Sequence, residues 1–200
     1  LGQVYAALGS KVTIVEMMPQ LVPGADPELV KILRKSIESQ FESIFTDTKV
    51  ADAEEKKNGI HVTFEPKGGE PIKKIFDKVL VSVGRKPNTA DLGLDTTGVV
   101  ISDRGFIEVD AQRRTAAPKI FAIGDVVGDP MLAHKATYEG HVAVEAIAGK
   151  KTVYAPRAIP AVMFTNPELA WAGMTEQEAR DQKGLDIKVM KFPWGASGRA

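Results

Sequence analysis

The chain contains no cysteine. Within these residues that excludes a disulfide framework, a thiolate metal site and a thiol nucleophile. Histidine is scarce: His61, His134 and His141 are spread without ligand spacing, so no metal site is expected. Neither charge dominates. The 26 Lys and Arg residues balance 26 Asp and Glu residues, which gives no electrostatic footprint for nucleic acid or an anionic membrane surface. No apolar run approaches the roughly 18 residues of a membrane span, and the first residues lack the pattern of a signal peptide. There is no internal repeat and no low-complexity segment. A starting Met is also missing. Leu1-Gly2-Gln3-Val4-Tyr5 reads as the middle of a helix, so an internal fragment is expected.

What is present is ordinary globular material, 44% hydrophobic and 26% charged. Leu1 to Leu8 reads as a helix closed by Gly9, and Lys11 to Glu16 as a buried strand with an acid at its end. Asp26-Pro27 is a helix start, with Leu29, Val30, Leu33, Ile37 and Phe41 as one apolar stripe. Helix, strand, helix is the opening of a βαβ unit in an open α/β sheet. Lys49 to Ala53, Ile60 to Phe64 and Ile72 to Phe76 then read as an antiparallel meander, turned at Asn58-Gly59 and Lys67-Gly68-Gly69.

Another buried strand is expected at Lys78 to Val83, with a loop from Gly84 to Thr89. The loop-rich stretch to Ala117 carries a turn at Asp103-Arg104-Gly105 and a short strand from Phe106 to Val109. A strand at Ile120 to Ile123 leads through Gly124-Asp125 into a helix from Leu132 to Ala148, ended by Gly149. Lys150 to Pro160 is basic, holds two prolines and reads as a linker. Strands at Ala161 to Phe164 and Leu169 to Ala172, a helix opened by a Thr175–Glu178 capping box, and a strand at Ile187 to Phe192 complete the pattern.

Three places carry chemistry. Glu16, at a strand end, suits the ribose hydroxyls of a dinucleotide and repels a 2′-phosphate, which favours NAD over NADP. A solvated strand-end glutamate is the plainer alternative. The Gly-rich loop that completes such a site belongs about 20 residues upstream of the acid, and only Leu1 to Ser10 precedes this strand. Gly84, directly after an apolar run, lets a ligand approach the backbone, or simply makes the turn before Pro87-Asn88. Gly124-Asp125 with the helix start at Ala133 presents a carboxylate and unpaired N–H groups to a polyol or dinucleotide; a turn or capping role for Asp125 competes. The positive end of that helix, worth roughly half an elementary charge, stabilises negative charge on a ligand. His134, His141, Trp171 and Trp194 read as packing or surface groups, and the lysines of the meander as its solvated rims.

The succession Val15-Glu16, a meander, Val83 to Asn88, Ile120 to Asp125 and Met131 to Lys135 resembles the flavoprotein disulfide reductases. Glu139 to Ala143 and Phe192 to Ala200 resemble the dihydrolipoamide dehydrogenase branch rather than glutathione or mercuric reductases. The likeness runs along all 200 residues. It implies a Rossmann-like, dinucleotide-binding α/β fold with an antiparallel meander and the start of an α+β interface domain, all incomplete. Residues 1–86 correspond to the rear of an NAD-binding domain, 87–150 to the returning part of an FAD-binding domain, and 151–200 to the start of a dimerisation domain.

Carried over by position, Glu16 binds the NAD adenosine ribose and Val50 lines the adenine side. Ser82, Val83, Gly84 and Arg85 flank NAD. Gly124 and Asp125 hold the FAD ribitol, and Met131, Leu132 and the Ala133 backbone reach the flavin ring. The resemblance places the FAD fingerprint, the NAD Gly-rich loop and the redox Cys pair upstream of residue 1, and a His–Glu acid–base pair beyond residue 200. No catalytic residue is therefore expected here, and the 200 residues alone are expected to be inactive. The implied partners are a second copy of the chain and dihydrolipoamide on a lipoyl domain of a 2-oxo acid dehydrogenase or glycine cleavage complex. The implied setting is the cytoplasm, or the mitochondrial matrix for a eukaryotic source. Open alternatives are a sibling reductase, a flavin transhydrogenase, and a non-catalytic nucleotide-binding module.

Overall fold

A computed structural model describes residues 1–182 and 184–198. Arg199 and Ala200, which end the C-terminal motif quoted above, lie outside the described residues. The chain divides into two compact units, Leu1–Leu80 with Val162–Ala200, and Val81–Ala161.

The first unit opens with α1 (Gly2–Ala7), β1 (Thr13–Val15), α2 (Pro27–Ile37) and β2 (Ser43–Phe45). β1 and β2 pair in parallel, Ile14 opposite Ile44, with α2 as the crossover between them, so the βαβ reading holds. β1 is half-buried rather than buried, because β2 is its only ladder partner among the described residues. The stripe on α2 buries Val30, Leu33 and Ile37 with Ala25, Phe41 and Leu169. Leu29 is the exception: it is exposed, on the flank of the helix. Asp26 occupies the N-cap of α2 without a side-chain cap to that helix. Its Oδ1 instead accepts the Glu176 N–H at 2.7 Å. Asp26 thus stands at the starts of two helices and satisfies a free donor of the second.

The meander is β3 (Thr48–Lys56), β4 (Gly59–Pro66) and β5 (Ile72–Phe76), antiparallel in the order β3-β4-β5. Val50 faces Phe64, and the register slips between Val50 and Asp52. Phe64 is buried and contacts the Phe45 and Phe76 rings at 5.7 and 6.0 Å between centroids, which ties the meander's inner face to β2.

The second unit has one long helix, α3 (Ala133–Ile147). Three expected strands do not form there or at its border. Lys78 to Val83 has no strand assignment, and Val79, Leu80, Val81 and Val83 are exposed. The composition favours a strand, but no neighbouring strand among the described residues supplies a ladder. Phe106 to Val109 and Ile120 to Ile123 are reduced to the single bridges Ile101–Ile107 and Arg114–Phe121. Lys150 to Pro160 is irregular, as a linker should be, yet it is not loose: the Tyr154 N–H donates to the Ala111 carbonyl at 2.7 Å, and the Gln112 side-chain amide donates to the Thr152 carbonyl at 3.0 Å.

As the chain returns to the first unit, β6 (Ala161–Met163) pairs with β7 (Leu169–Trp171), and α4 (Glu176–Asp181) begins with the expected reciprocal Thr175–Glu178 box. Ile187 to Phe192 is not a strand, and Val189, Met190 and Phe192 are exposed. Its apolar residues likewise find no ladder partner among the described residues.

Candidate functional site

In the second unit the site is built around a turn. After Ile123 the chain enters a short 3-10 turn, Gly124–Val127, and reaches α3 through Leu132. Gly124 has φ +82°, the left-handed region, and a Cβ there would lie 3.4 Å from the Ala136 Cβ. Its backbone approaches α3 and is buried. The glycine was expected to admit a ligand; what its missing side chain admits here is the helix.

Asp125 projects from this turn with its side chain about half exposed, at 48%. The Arg85 Nη1 donates to its Oδ2 at 2.9 Å. Both groups are open to water, so the pair orients Asp125 but adds little stability. Leu132 is the N-cap of α3 and makes no side-chain cap. The first-turn N–H groups of this 15-residue helix therefore receive no side-chain acceptor from the N-cap residue. Met131 and Leu132 are half-buried, and Ala133 is exposed.

Ser82, Val83, Gly84 and Arg85 form an exposed, irregular segment. Gly84 has φ +119° and no atom within 4 Å of where a Cβ would sit, so its Cα is open to an incoming group. An open cleft of about 370 Å³ is lined by Ser82, Gly84, Arg85, Asp129 and Met131. The structure thus brings together Ser82, Gly84, Arg85, Asp125 and Met131 around one open surface. Gly124 is buried, and Val83, at 93% exposure, does not line the cleft.

Glu16 and Val50 belong to the first unit. The Glu16 N–H donates to the Phe45 carbonyl, and the Glu16 carbonyl accepts from Thr48 N–H at 3.0 Å. This fixes the residue between the end of β2 and the start of β3. Its Oε1 accepts the Met18 N–H at 2.8 Å. Val50 lies two residues beyond Thr48 on β3 and is exposed.

The turn is held by Glu139 and Lys135, two residues that the family-like stretches contain but that had no expected role. Glu139 is fully buried. Its Oε2 accepts the Gly124 N–H at 2.7 Å, and its Oε1 accepts from Arg113 Nη1 at 3.1 Å. Lys135, one turn earlier and also buried, donates from Nζ to the Gly124 carbonyl at 3.1 Å and the Gly128 carbonyl at 2.7 Å. Arg113 stacks over the Tyr154 ring at 4.6 Å. Burial pushes the Tyr154 hydroxyl pKa above its ordinary value, and the nearby Glu139 charge adds to the rise. A signal for Lys135 and Glu139 existed: with Val142 and Ala146 they follow the i, i+4, i+7, i+11 spacing of the buried face. His134 makes the surface hydrogen bond expected of it, between its Nε2 and the Pro160 carbonyl at 2.7 Å.

Such an arrangement can bind a polyhydroxyl chain through a carboxylate and an electron-rich group at a helix start. It offers no nucleophile paired with a base. No helix among the described residues is long and apolar enough to cross a membrane.

Residues 1–140 match the family model described as pyridine nucleotide-disulphide oxidoreductase, and residues 159–200 match that family's dimerisation domain. The chain belongs to the pyridine nucleotide-disulphide oxidoreductase family. Relatives in this family include the dihydrolipoyl dehydrogenase of Haemophilus influenzae, 50% identical over 200 residues that make up all of this chain and 41% of that protein. The dihydrolipoyl dehydrogenase of Thermus scotoductus is 47% identical over 201 residues, again the whole of this chain and 43% of the relative. The chain therefore spans about two-fifths of the length of these curated relatives. Among solved structures, the HOCl-induced flavoprotein disulfide reductase RclA from Escherichia coli superposes with a TM-score of 0.85 at 28% identity, over all of this chain and 45% of RclA. LpdA from Mycobacterium tuberculosis gives 0.77 at 27% identity, over 89% of this chain and 38% of that one. The expected fold class, a mixed α/β dinucleotide-binding arrangement with an antiparallel sheet, stands.

Proposed function

We propose that these residues are the part of a dihydrolipoyl dehydrogenase that contributes one side of its NAD site and one side of its FAD site. The observation that carries this reading is identity near 50%, sustained through all 200 residues, with proteins of that name. In it, residues 1–86 complete an NAD-binding domain, 87–150 complete an FAD-binding domain, and 151–200 begin the interface through which two copies form a homodimer.

The residues present fit both cofactors. The open Cα of Gly84 and the cleft bordered by Ser82 and Arg85 admit the flat nicotinamide end of NAD. Glu16, at the end of β1, accepts hydrogen bonds from the adenosine ribose, beside Val50. Asp125 accepts from the ribitol hydroxyls of FAD, and the uncapped start of α3 at Met131, Leu132 and Ala133 faces the flavin ring. When bound, the cofactors supply the passage of two electrons from a dithiol to nicotinamide; the protein supplies placement and field. The substrate in this reading is dihydrolipoamide carried on the lipoyl domain of a partner enzyme complex, in a cytoplasmic setting.

The test is made on the whole protein. Purified material should show a flavin absorption band and reduce NAD at the expense of dihydrolipoamide. A flavin band with turnover on a different disulfide, and none on dihydrolipoamide, would contradict the substrate. Absence of bound flavin after reconstitution would contradict the cofactor sites as well.

A further inference from the structure

We propose that Glu139 and Lys135 are positioning residues for the FAD site. From one face of α3 they fix the two peptide groups that flank Gly124, and so set the direction in which Asp125 projects. This inference rests on the reading of Asp125 as a flavin-site residue.

Two peptide planes meet at Gly124. The plane before it carries the Gly124 N–H, which donates to Glu139 Oε2 at 2.7 Å. The plane after it carries the Gly124 carbonyl, which accepts from Lys135 Nζ at 3.1 Å. That second plane also contains the Asp125 nitrogen, so its tilt determines where the Asp125 side chain starts. Lys135 reaches on to the Gly128 carbonyl at 2.7 Å and so clamps both ends of the turn. A glycine at φ +82° has wide conformational freedom. The Ile107 N–H donates to the Val126 carbonyl at 2.8 Å further along the turn, but the two peptide groups at Gly124 itself are held by Glu139 and Lys135.

The charge pattern supports a positioning role over a purely stabilising one. A buried ion pair is a weak source of stability, because desolvation offsets its attraction. Here both side chains also bond main chain, Glu139 at one peptide N–H and Lys135 at two carbonyls. One Glu139 oxygen serves Gly124, and the other serves Arg113 at 3.1 Å with Lys135 at 3.5 Å. Two of the three ammonium donors of Lys135 serve carbonyls of the turn. Arg113 is itself held from behind by the Tyr154 ring. Neither side chain lines the cleft, so each acts on the site through the backbone it bonds.

The experiment is a double-mutant cycle on the whole protein, stripped of FAD and titrated with it. The variants are Glu139→Gln, Asp125→Asn and the two together. Gln keeps the shape and an acceptor but loses the charge that organises Lys135 and Arg113. Each single change is expected to weaken FAD about tenfold, as for loss or misdirection of one charged hydrogen bond. The double variant should be no more than about twofold weaker than Asp125→Asn alone, since a misplaced group that is already absent costs nothing further. The visible circular dichroism of the bound flavin should change in Glu139→Gln.

Wild-type affinity and spectrum in Glu139→Gln would overturn the proposal. So would losses that multiply to about a hundredfold in the double variant, which is the signature of independent effects. If Glu139→Gln does not fold, the same cycle is run with Lys135→Gln; failure of both to fold assigns the pair to structure and overturns the positioning role. A wild-type protein that takes up no FAD defeats the functional reading itself, which separates the two failures.

Discussion

Two helices, α2 and α3, each bury one face, and they do so by opposite chemistry. α2 buries Val30, Leu33 and Ile37 against Ala25, Phe41 and Leu169. α3 buries Val142, Ala143 and Ala146 over its second half, but Lys135 and Glu139 over its first. The apolar face of α2 does nothing but exclude water, at about 1.5–3 kcal/mol for each large side chain. The charged half of α3 holds a turn in a shape that an apolar face could not hold, since only donors and acceptors can specify peptide orientation. Packing is put where the fold needs bulk, and buried charge where the site needs direction.

That contrast can be broken or sharpened by substitution, and the largest effect is expected in the charged half. Glu139→Leu strands Lys135 and Arg113, and should lower the unfolding free energy of the whole protein by about 3–5 kcal/mol. Leu33→Ala should cost about 2–5 kcal/mol through the cavity it leaves. The two separate in denaturant melts of Lys135→Met/Glu139→Leu. Removing the Lys135 charge as well leaves only Arg113 without its carboxylate and should recover part of the charged loss, whereas no second change of charge can rescue Leu33→Ala.

Gly124→Ala comes next. A left-handed alanine costs about 1–2 kcal/mol, and its Cβ would sit 3.4 Å from Ala136. Melting should fall modestly while FAD affinity falls more, because the turn shifts. Equal, small changes in both would place the glycine outside the site. Asp26→Ala removes the acceptor for Glu176 N–H. It should cost about 1 kcal/mol, in the range of a lost cap, read as faster amide exchange at the start of α4.

The smallest effect depends on pH. Hydrogen bonds from the Thr175 backbone, then from its side chain, hold the Glu178 carboxyl below the usual carboxylate range. A depressed folded pKa contributes stability that is present above the unfolded value and is lost as pH falls through the folded one. Amide protection at Thr175 should therefore drop on acidification below that range and not near neutrality. Glu178→Gln should remove this dependence; an unchanged acid response would assign it to another carboxylate.

How much of this was legible depends on how local each signal is. The α2 stripe, the meander and the Thr175–Glu178 box were readable because period, turn residues and capping pattern lie within a few positions of one another. Lys78 to Val83 and Ile187 to Phe192 misled for the same reason: a strand needs a neighbour, and local composition does not reveal whether one is there. Gly124-Asp125 announced a site, yet the Gly124 N–H bonds to a side chain fifteen residues away. A charged pair at i, i+4 is usually a solvated face, and only its phase with Val142 and Ala146 marked this one as buried. The Arg85–Asp125 pair, forty residues apart in sequence, carries no local signal.

The central claim is that Asp125 and the start of α3 hold the flavin and its ribitol chain. The most direct measurement is a structure of the whole protein with FAD bound. The account predicts an Asp125 carboxylate oxygen within about 3.2 Å of a ribitol hydroxyl, with the flavin ring over the N-terminal turn at Ala133. An Asp125 that still pairs only with Arg85, with the ribitol bound elsewhere, would contradict it.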